Sequence, residues 1–290
     1  MKAAKKDRTG IIAIAIAVLG TVGNYAYLHS VNNTDVISTK VAGNLMKDNQ
    51  LLTSSSAKEL IGKTASQYII DKPQVLVTAS QKLEALESQI NTQRIIDNKD
   101  ALLDDKVTPY AGRKDAKVVV IEFFDYNCHF CQQVTPAVKK LITSNPEIKF
   151  LFKEFPIFGQ GSEAAAQMGL HSYKTGGIEG YQKFHNNMYD LSATKQSTTH
   201  TPTSIADAVS IAEQSGIPSA ITPEERQPYS LVVQTNQRLA NNLNIKGTPA
   251  FIVMPADNPQ PDQVVTIPGA ASYERLQKAI DDVETKVRKN

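Results

Sequence analysis

The chain has 290 residues, of which 41% are apolar and 7% aromatic, so it can bury a full core and has room for about two domains. This composition excludes a disordered chain and a small disulfide-stabilised scaffold. The formal charge is +2, and the first eight residues alone supply +3, so the remainder implies no basic face for nucleic acid. Because there are just two cysteines, stability must come from packing.

Residues 1–29 have the pattern of a signal peptide or membrane anchor. Basic residues up to Arg8 precede an uncharged stretch from Thr9 to Thr34, whose most apolar part is Ile11 to Leu19. The positive-inside rule then predicts that the rest of the chain is extracytoplasmic, exported to the periplasm or anchored to the inner membrane. An ordinary buried N-terminal helix is the alternative, and cleavage of the segment stays open.

Residues 30–98 are polar and helical in pattern. Ser56 and Glu59 have the spacing of a capping box at a helix start. A later run has apolar side chains spaced 3, 4, 3 and 4 residues apart, namely Leu76, Ala79, Leu83, Leu86 and Ile90. Such a two-heptad seam predicts either a self-association arm, giving a dimer or trimer, or a helix packed on its own domain.

Residues 99–116 contain Asp104, Asp105, Pro109 and Gly112, which indicates a linker. Val118 to Tyr126 is a nearly continuous apolar run, typical of a strand buried on both faces. A helix is then predicted from the cysteines to Ser144, followed by a second strand from Ile148 to Pro156.

A helical block is predicted between Gly159 and Asn244, before the chain returns to strands. Its four candidate helices are Ser162 to Lys174, Ile178 to Leu191, Ser204 to Gln214 and Glu224 to Leu243. Two short strands (Ala250 to Met254 and Val264 to Ile267) and an amphipathic helix (Ser272 to Arg288) complete the chain. The order predicts an α/β fold over 117–290 with an all-helical insertion at about 159–244.

Cys128 and Cys131 are the residues whose placement indicates chemistry. They follow the buried strand and open a helix, where unpaired N–H groups and the helix dipole favour a Cys128 thiolate. A thiolate attacks disulfides and also leaves readily from a mixed disulfide, which Cys131 can resolve. If the pair were half of a zinc site, two further ligands would be needed, and the remaining histidines and carboxylates do not have zinc-like spacing. A purely structural disulfide would close too small a loop to gain much stability from chain entropy.

Two residues near the pair have alternative interpretations. Glu122 lies in an otherwise apolar strand, so burial should raise its pKa and let it relay the proton of Cys131. It could instead reach solvent or pair with Lys153. His129, which precedes Phe130 in the loop between the cysteines, would favour the Cys128 thiolate when charged, or its side chain could point to water.

Gly247, Thr248 and Pro249 stand directly before the strand that begins at Ala250. A cis bond at Pro249 would bring the Thr248 backbone beside the cysteines, where a substrate peptide could pair with it as an added strand.

The segments FFDYNCHFC, FKEFPIFG and GTPAF, in this order, resemble the DsbA-like family of thioredoxin-fold proteins from about Lys117 to Arg288. The resemblance implies a thioredoxin-like fold, Cys128 as the attacking and Cys131 as the resolving cysteine, Glu122 as the buried acid, and a cis bond at Thr248-Pro249. It implies no cofactor and no metal. The run PQVLVTASQKLEAL resembles the N-terminal helical extension of the Com1-like and ScsC-like branch, whose members associate through such extensions.

The resemblance implies an extracytoplasmic thiol-disulfide oxidoreductase that forms or reshuffles disulfides in exported proteins, with a membrane redox partner protein. His-Phe stands between the cysteines where the oxidant DsbA has Pro-His, which leaves the redox potential open. Thr248 before the proline is similar to the isomerase DsbC, so oxidase and isomerase are both retained. A non-catalytic surface or holdase-like binding protein is the alternative from a different class.

Overall fold

The computed structural model describes residues 55–103 and 107–289. The predicted export segment, residues 1–29, lies outside them, as do residues 30–54 of the predicted helical region. Within the described ranges, no helix is both long enough and apolar enough to cross a bilayer.

The first two helices of the described chain are α1, Ser55–Asp71, and α2, Gln74–Asp97. The chain divides into two compact units, Met1–Leu86 and Glu87–Asn290. This boundary lies within α2, earlier than the predicted boundary at residue 98, because the last turns of α2 contribute to the core of the second unit. Ile95 is buried there among residues of the sheet.

The segment 99–116 was expected to be a linker, and its described part is not one. It contains α3, Lys99–Leu103, and the edge strand β1, Tyr110–Gly112. Leu102 is fully buried, and β1 pairs antiparallel with a later strand. Gly112 permits this pairing, since it has φ +82° and a Cβ there would lie 2.1 Å from the Ile148 carbonyl oxygen.

The sheet has five strands in the order β1-β3-β2-β4-β5. Its other strands are β2, Val118–Phe124, β3, Lys149–Glu154, β4, Ala250–Pro255, and β5, Val265–Pro268. The pair β2 and β3 is parallel, and the remaining neighbours are antiparallel. Every residue of β2, β3 and β4 is buried, which explains why apolar residues predominate in them.

Helices follow the strands largely as the sequence predicts. They are α4, His129–Ser144, α5, Gln160–Thr198, α6, Ile205–Gln214, α7, Pro223–Asn242, and α8, Tyr273–Lys289. The two helices predicted at 162–174 and 178–191 are the two parts of α5, which a kink with non-helical backbone at Gly177 (φ 60°, ψ −158°) separates. Capping boxes at Ser204 and Thr222 start α6 and α7. The helical insertion is therefore α5, α6 and α7.

The sheet separates two buried layers, which we name by the position of the cysteines. The cysteine face consists of Val120, Phe124 and Phe152, packed with both cysteines and with residues of α4, α5 and α8. The opposite face consists of Val119, Ile121 and Leu151, packed with Ile95, Leu102 and residues at the end of α7. Alternation along β2 therefore decides which side chains can reach the cysteines.

Candidate active site at the start of helix α4

The two cysteines lie at the first turn of α4, directly after the turn that follows β2. Cys128 is the N-cap residue of the helix, with an extended backbone (φ −79°, ψ 116°), and its side chain makes no capping hydrogen bond. Cys131 belongs to the first turn. Both are free thiols and are nearly inaccessible, at 3% and 1% exposed. The sequence prediction of a cysteine pair at a helix start is thus matched by the geometry.

The two sulfurs have opposite protonation preferences. The Cys131 thiol donates a hydrogen bond to the Cys128 sulfur, and this is the main reason that the pKa of Cys128 falls to about 6. Burial works against that fall, while Thr248 and the backbone N–H groups of Cys131 and Phe130 assist it. Burial and the bond to Cys128 raise the pKa of Cys131 far above its usual range. At neutral pH the pair therefore holds one thiolate, on Cys128, and one thiol, on Cys131.

Thr248 and Pro249 face Cys128 from the start of β4. The peptide bond between them is cis. The Cys128 thiol donates to the Thr248 carbonyl oxygen over 3.2 Å, although the two residues are 120 positions apart in sequence. The Thr248 hydroxyl is buried and has no hydrogen-bond partner among the described residues. It is therefore available as a donor to the thiolate once the Cys128 proton has left.

Glu122 occupies the centre of β2 on the cysteine face and is 3% exposed. Burial, and secondarily the charge of Cys128, raise its pKa to about 8. Its charge in turn contributes to the raised pKa of Cys131. The alternative in which Glu122 reaches solvent does not fit this burial. Lys153 pairs in register with Phe123 on the opposite face and donates to the Ala101 carbonyl (3.1 Å) and the Thr108 hydroxyl (3.0 Å).

His129 and Phe130, between the cysteines, point outwards. His129 is exposed, and its Nε2 lies 2.9 Å from the Gln133 side-chain nitrogen. Phe130 is 56% exposed, and the two rings lie 5.8 Å apart. Of the two alternatives for His129, the structure favours the one in which the ring faces water. The described residues contain no group of three or more His, Cys, Asp or Glu side chains placed to hold a metal ion.

Asp125 and Asn127 form a clamp that the sequence analysis missed. The Asp125 carboxylate accepts from the N–H groups of Ile157 (2.6 Å) and Phe158 (3.0 Å) with one oxygen. Its other oxygen accepts from Asn127 N–H and from the Ser162 hydroxyl, both at 2.7 Å. The Asn127 side chain binds the backbone and hydroxyl of Thr203.

The clamp fixes the loop before Cys128 to the β3–α5 loop and to the α5–α6 loop. Gly161 shows how closely these segments approach, because a Cβ there would lie 1.9 Å from the Thr203 carbonyl oxygen. Asp and Asn after a strand are ordinary turn residues, so composition alone gives them no role. The sequence feature that could have revealed the clamp is the carboxylate of Asp125, which directly follows a fully buried strand.

A second missed group is a buried polar cluster on the cysteine face. Glu154 Oε1 accepts from the hydroxyls of Tyr126 (3.2 Å) and Tyr181 (3.1 Å), and Tyr126 also contacts His185 Nδ1 at 3.1 Å. Burial raises the pKa of Glu154 well above its usual range and lowers that of His185 to about 3. His185 is therefore neutral at pH 7, burial disfavours the charged form of Glu154, and the cluster joins β3 to α5.

Comparisons with known proteins agree with this fold. A family model described as thioredoxin matches residues 104–282. The crystal structure of BcfH from Salmonella enterica Typhimurium has a TM-score of 0.63 and 30% identity, covering 79% of this chain and 96% of that one. The catalytic domain of Proteus mirabilis ScsC has a TM-score of 0.52 and 25% identity, covering 66% and 97%.

Among curated proteins, disulfide bond formation protein D of Bacillus subtilis is 24% identical over 186 residues, covering 61% of this chain and 77% of that protein. The family model spans more than half of the chain, and its range includes both cysteines and Pro249. The chain therefore belongs to the thioredoxin family, as a DsbA-like thiol-disulfide oxidoreductase.

Proposed function

We propose that the protein forms or reshuffles disulfide bonds in exported proteins, with Cys128 and Cys131 as its redox pair. The observation on which this rests is the contrast between the two sulfurs. Cys128 is an ionised nucleophile at a helix start, 3.2 Å from the Thr248 carbonyl oxygen. Cys131 is a protonated neighbour within hydrogen-bond reach. A pair with these properties can take part in both halves of a disulfide exchange.

In the oxidising direction, a substrate thiolate attacks the Cys128 sulfur of the Cys128–Cys131 disulfide. A mixed disulfide forms, and Cys131 leaves as a thiolate that takes up one proton. A second substrate thiolate then attacks the substrate sulfur of the mixed disulfide. The substrate leaves with its own disulfide, and Cys128 leaves as a thiolate, so the two electrons have passed from substrate to enzyme. Isomerisation uses the reduced pair, with Cys128 as the attacking group.

Glu122 is the group that we propose to handle the Cys131 proton. Its pKa of about 8 keeps the carboxyl mostly protonated at neutral pH, yet close enough to neutrality to exchange a proton. It lies on the cysteine face, and its charge acts on Cys131. A protonated Glu122 also avoids a second buried negative charge beside the Cys128 thiolate.

The Thr248-Pro249 segment is the proposed contact for the substrate backbone. While Cys128 is a thiol, its hydrogen occupies the Thr248 carbonyl oxygen. Once Cys128 is a thiolate or part of a mixed disulfide, that oxygen becomes available to a substrate N–H. Substrate pairing and the exchange step would therefore occur at the same place.

We place this activity outside the cytoplasm, with a membrane protein as the partner that resets the redox state of the pair. The basic N-terminus followed by an apolar stretch supports this location. We also propose that the protein self-associates through residues 30–98. Leu76, Leu83 and Leu86 support this, since each is about half exposed on α2.

Variants of the two cysteines test the proposal with a scrambled and a reduced multi-disulfide substrate. Cys128→Ala is expected to abolish recovery of native disulfides from both. Cys131→Ala is expected to trap the mixed disulfide, because no thiol can resolve it. Wild-type activity on the scrambled substrate identifies an isomerase, and activity on the reduced substrate alone identifies an oxidase. Unchanged function in the double variant would instead support the holdase-like alternative.

A further inference from the structure

A groove of about 300 Å³ lies beside the cis-proline segment and is not part of the exchange site itself. Thr248 and Pro249 form one end of it, and Thr266 of β5 and Gly269, directly after β5, form another wall. The last turns of α2 provide Asn91 and Ile95. The N-terminal helix therefore helps to shape a cavity that adjoins the residues facing Cys128.

The groove lies mainly on the face of the sheet that does not hold the cysteines. Most of its apolar lining belongs to the opposite-face layer, namely Ile95, Leu243, Ile245, Ala250 and Ile252, and Phe251 and Ile267 of the cysteine-face layer complete it. Ile95 is 2% exposed, so the lining is a packed floor and not a mobile surface chain. Asn91 and Ile245 are half-buried at its border.

Strand geometry connects this groove to a substrate. A polypeptide that pairs with Thr248 in an extended conformation turns successive side chains to opposite faces. If its cysteine points to Cys128, on the cysteine face, the side chain of the next residue points to the opposite face. That is the face on which the groove lies.

The size and charge of the groove define what fits there. Its volume is at the lower end of the range for ligand sites, about 300–1,000 Å³, which suits a single side chain. Its floor is aliphatic, and the one charged residue in its lining is the exposed Lys246. An aliphatic side chain gains burial there, whereas a lysine or arginine would meet a like charge and lose hydration.

We infer that this groove, with Asn91 and Ile95 of α2 in its wall, binds an aliphatic side chain next to the reactive cysteine of the substrate polypeptide. The inference rests on the proposed function, because it requires the substrate to pair at Thr248. It assigns the end of α2 a part in substrate selection, separate from any part in self-association.

The test uses the reduced full-length protein and short peptides whose cysteine carries a disulfide to glutathione. The residues on both sides of the cysteine are leucine in one peptide and lysine in another. Attack by Cys128 and resolution by Cys131 yield the enzyme disulfide, the peptide thiol and glutathione. The wild-type protein is expected to favour the leucine peptide in kcat/KM by about 10-fold or more, as for burial of one aliphatic side chain.

Two groove variants and a control complete the experiment. Asn91→Trp should fill the groove and reduce the leucine preference to near unity, because the leucine side chain can no longer enter it. Lys246 is exposed, so Lys246→Glu should not disturb folding. This variant should raise kcat/KM for the lysine peptide several-fold. Gln93→Trp, on the exposed side of the same helix, should keep the wild-type preference.

The outcomes separate this inference from the proposed function. Wild-type protein that reacts with oxidised glutathione but treats both peptides alike would overturn the groove alone. The same holds for a preference that survives both Asn91→Trp and Lys246→Glu. Protein that reacts with no disulfide at all would overturn the exchange function and the groove together.

Discussion

At the scale of single residues, the site works by giving two identical side chains different environments. Cys128 receives hydrogen bonds from a thiol and from two backbone N–H groups at a helix start, and Thr248 also lowers its pKa. Cys131 is more deeply buried and donates to its neighbour, so ionising it would place a second charge in the same space. The first sulfur is thus the attacking group, and the second keeps its proton until exchange removes it.

Alkylation of the reduced protein should show this asymmetry directly. We expect iodoacetamide to modify one thiol, Cys128, with a rate that rises through a pKa of about 6. In Cys131→Ala the strongest hydrogen bond to the thiolate is lost, so this pKa should rise by about one unit or more. The rate is measured against pH by mass spectrometry. Equal modification of both cysteines, or a midpoint near the ordinary thiol value, would contradict the assignment.

Glu122→Gln should change how stability depends on pH. The pKa of Glu122 is about 8 in the folded protein and 4.5 when unfolded, so the folded state holds the proton more tightly. The penalty for burying the carboxyl is absent below pH 4.5, grows as pH rises to 8, and is constant above. At about 1.4 kcal/mol per pKa unit, it reaches the order of 4–5 kcal/mol.

Denaturant unfolding of the reduced protein at a series of pH values measures this effect. Because Cys128 is present in both proteins, the difference between wild type and Glu122→Gln isolates the carboxyl. The variant should gain stability relative to wild type between pH 5 and pH 8.5. Two parallel pH curves would show that Glu122 titrates normally and would remove it from the proposed proton transfer.

At the scale of elements, the long apolar runs of the sequence identified strands more reliably than the turn residues identified loops. The strands β2, β3 and β4 were recognisable because both of their faces are buried, and the helix starts at Ser204 and Thr222 were recognisable by their caps. The edge strand β1 was missed because three residues cannot show a period. Gly112 also has the pattern of a turn residue until its strand partner, Lys149, and the nearby Ile148 carbonyl are known. The break between the two helices predicted at 162–174 and 178–191 was recognisable because glycine normally ends a helix, and the backbone at Gly177 is indeed non-helical.

The same limit applies to the site. The cysteine pair and Glu122 stand out as reactive or charged residues beside an apolar run. Asp125 and Asn127 do not, because their role depends on Ile157, Ser162 and Thr203, which are distant in sequence. Contacts of this kind between loops have no local signature.

Asp125→Asn should therefore weaken the attachment of the helical insertion. The carboxylate accepts four hydrogen bonds, and an amide would place its NH2 group against two of those donors. We expect the free energy of unfolding to fall by about 2–4 kcal/mol. Asp115→Asn is the control, since Asp115 is exposed and paired with Arg113, and its effect should be far smaller. Equal effects of both changes in chemical denaturation would argue against the clamp.

At the scale of the whole molecule, the chain combines a closed catalytic core with an N-terminal region that leaves apolar side chains uncovered. Several aliphatic residues of α1 and α2 are exposed, including Leu60, Ile70, Leu76, Leu83 and Leu86. Uncovered side chains at heptad-like spacing favour association with a second copy. Two reactive sites in one assembly would suit the reshuffling of disulfides, which requires repeated capture of the same substrate.

Light scattering should reveal this association in the chain from Ser30 onwards. We expect a dimer or trimer, and a monomer for a version that starts at Glu87, which keeps Ile95 in the core of the second unit. Leu83→Glu combined with Leu86→Glu should also give a monomer, because each buried charge would lose its hydration at the helix–helix contact. Lys82→Glu, on an exposed neighbouring position, is the matched control and should leave the assembly intact. Disulfide exchange with small substrates should persist in all four proteins, since the cysteines and Pro249 lie outside the removed region. A monomer in every case would contradict the proposed association through this region.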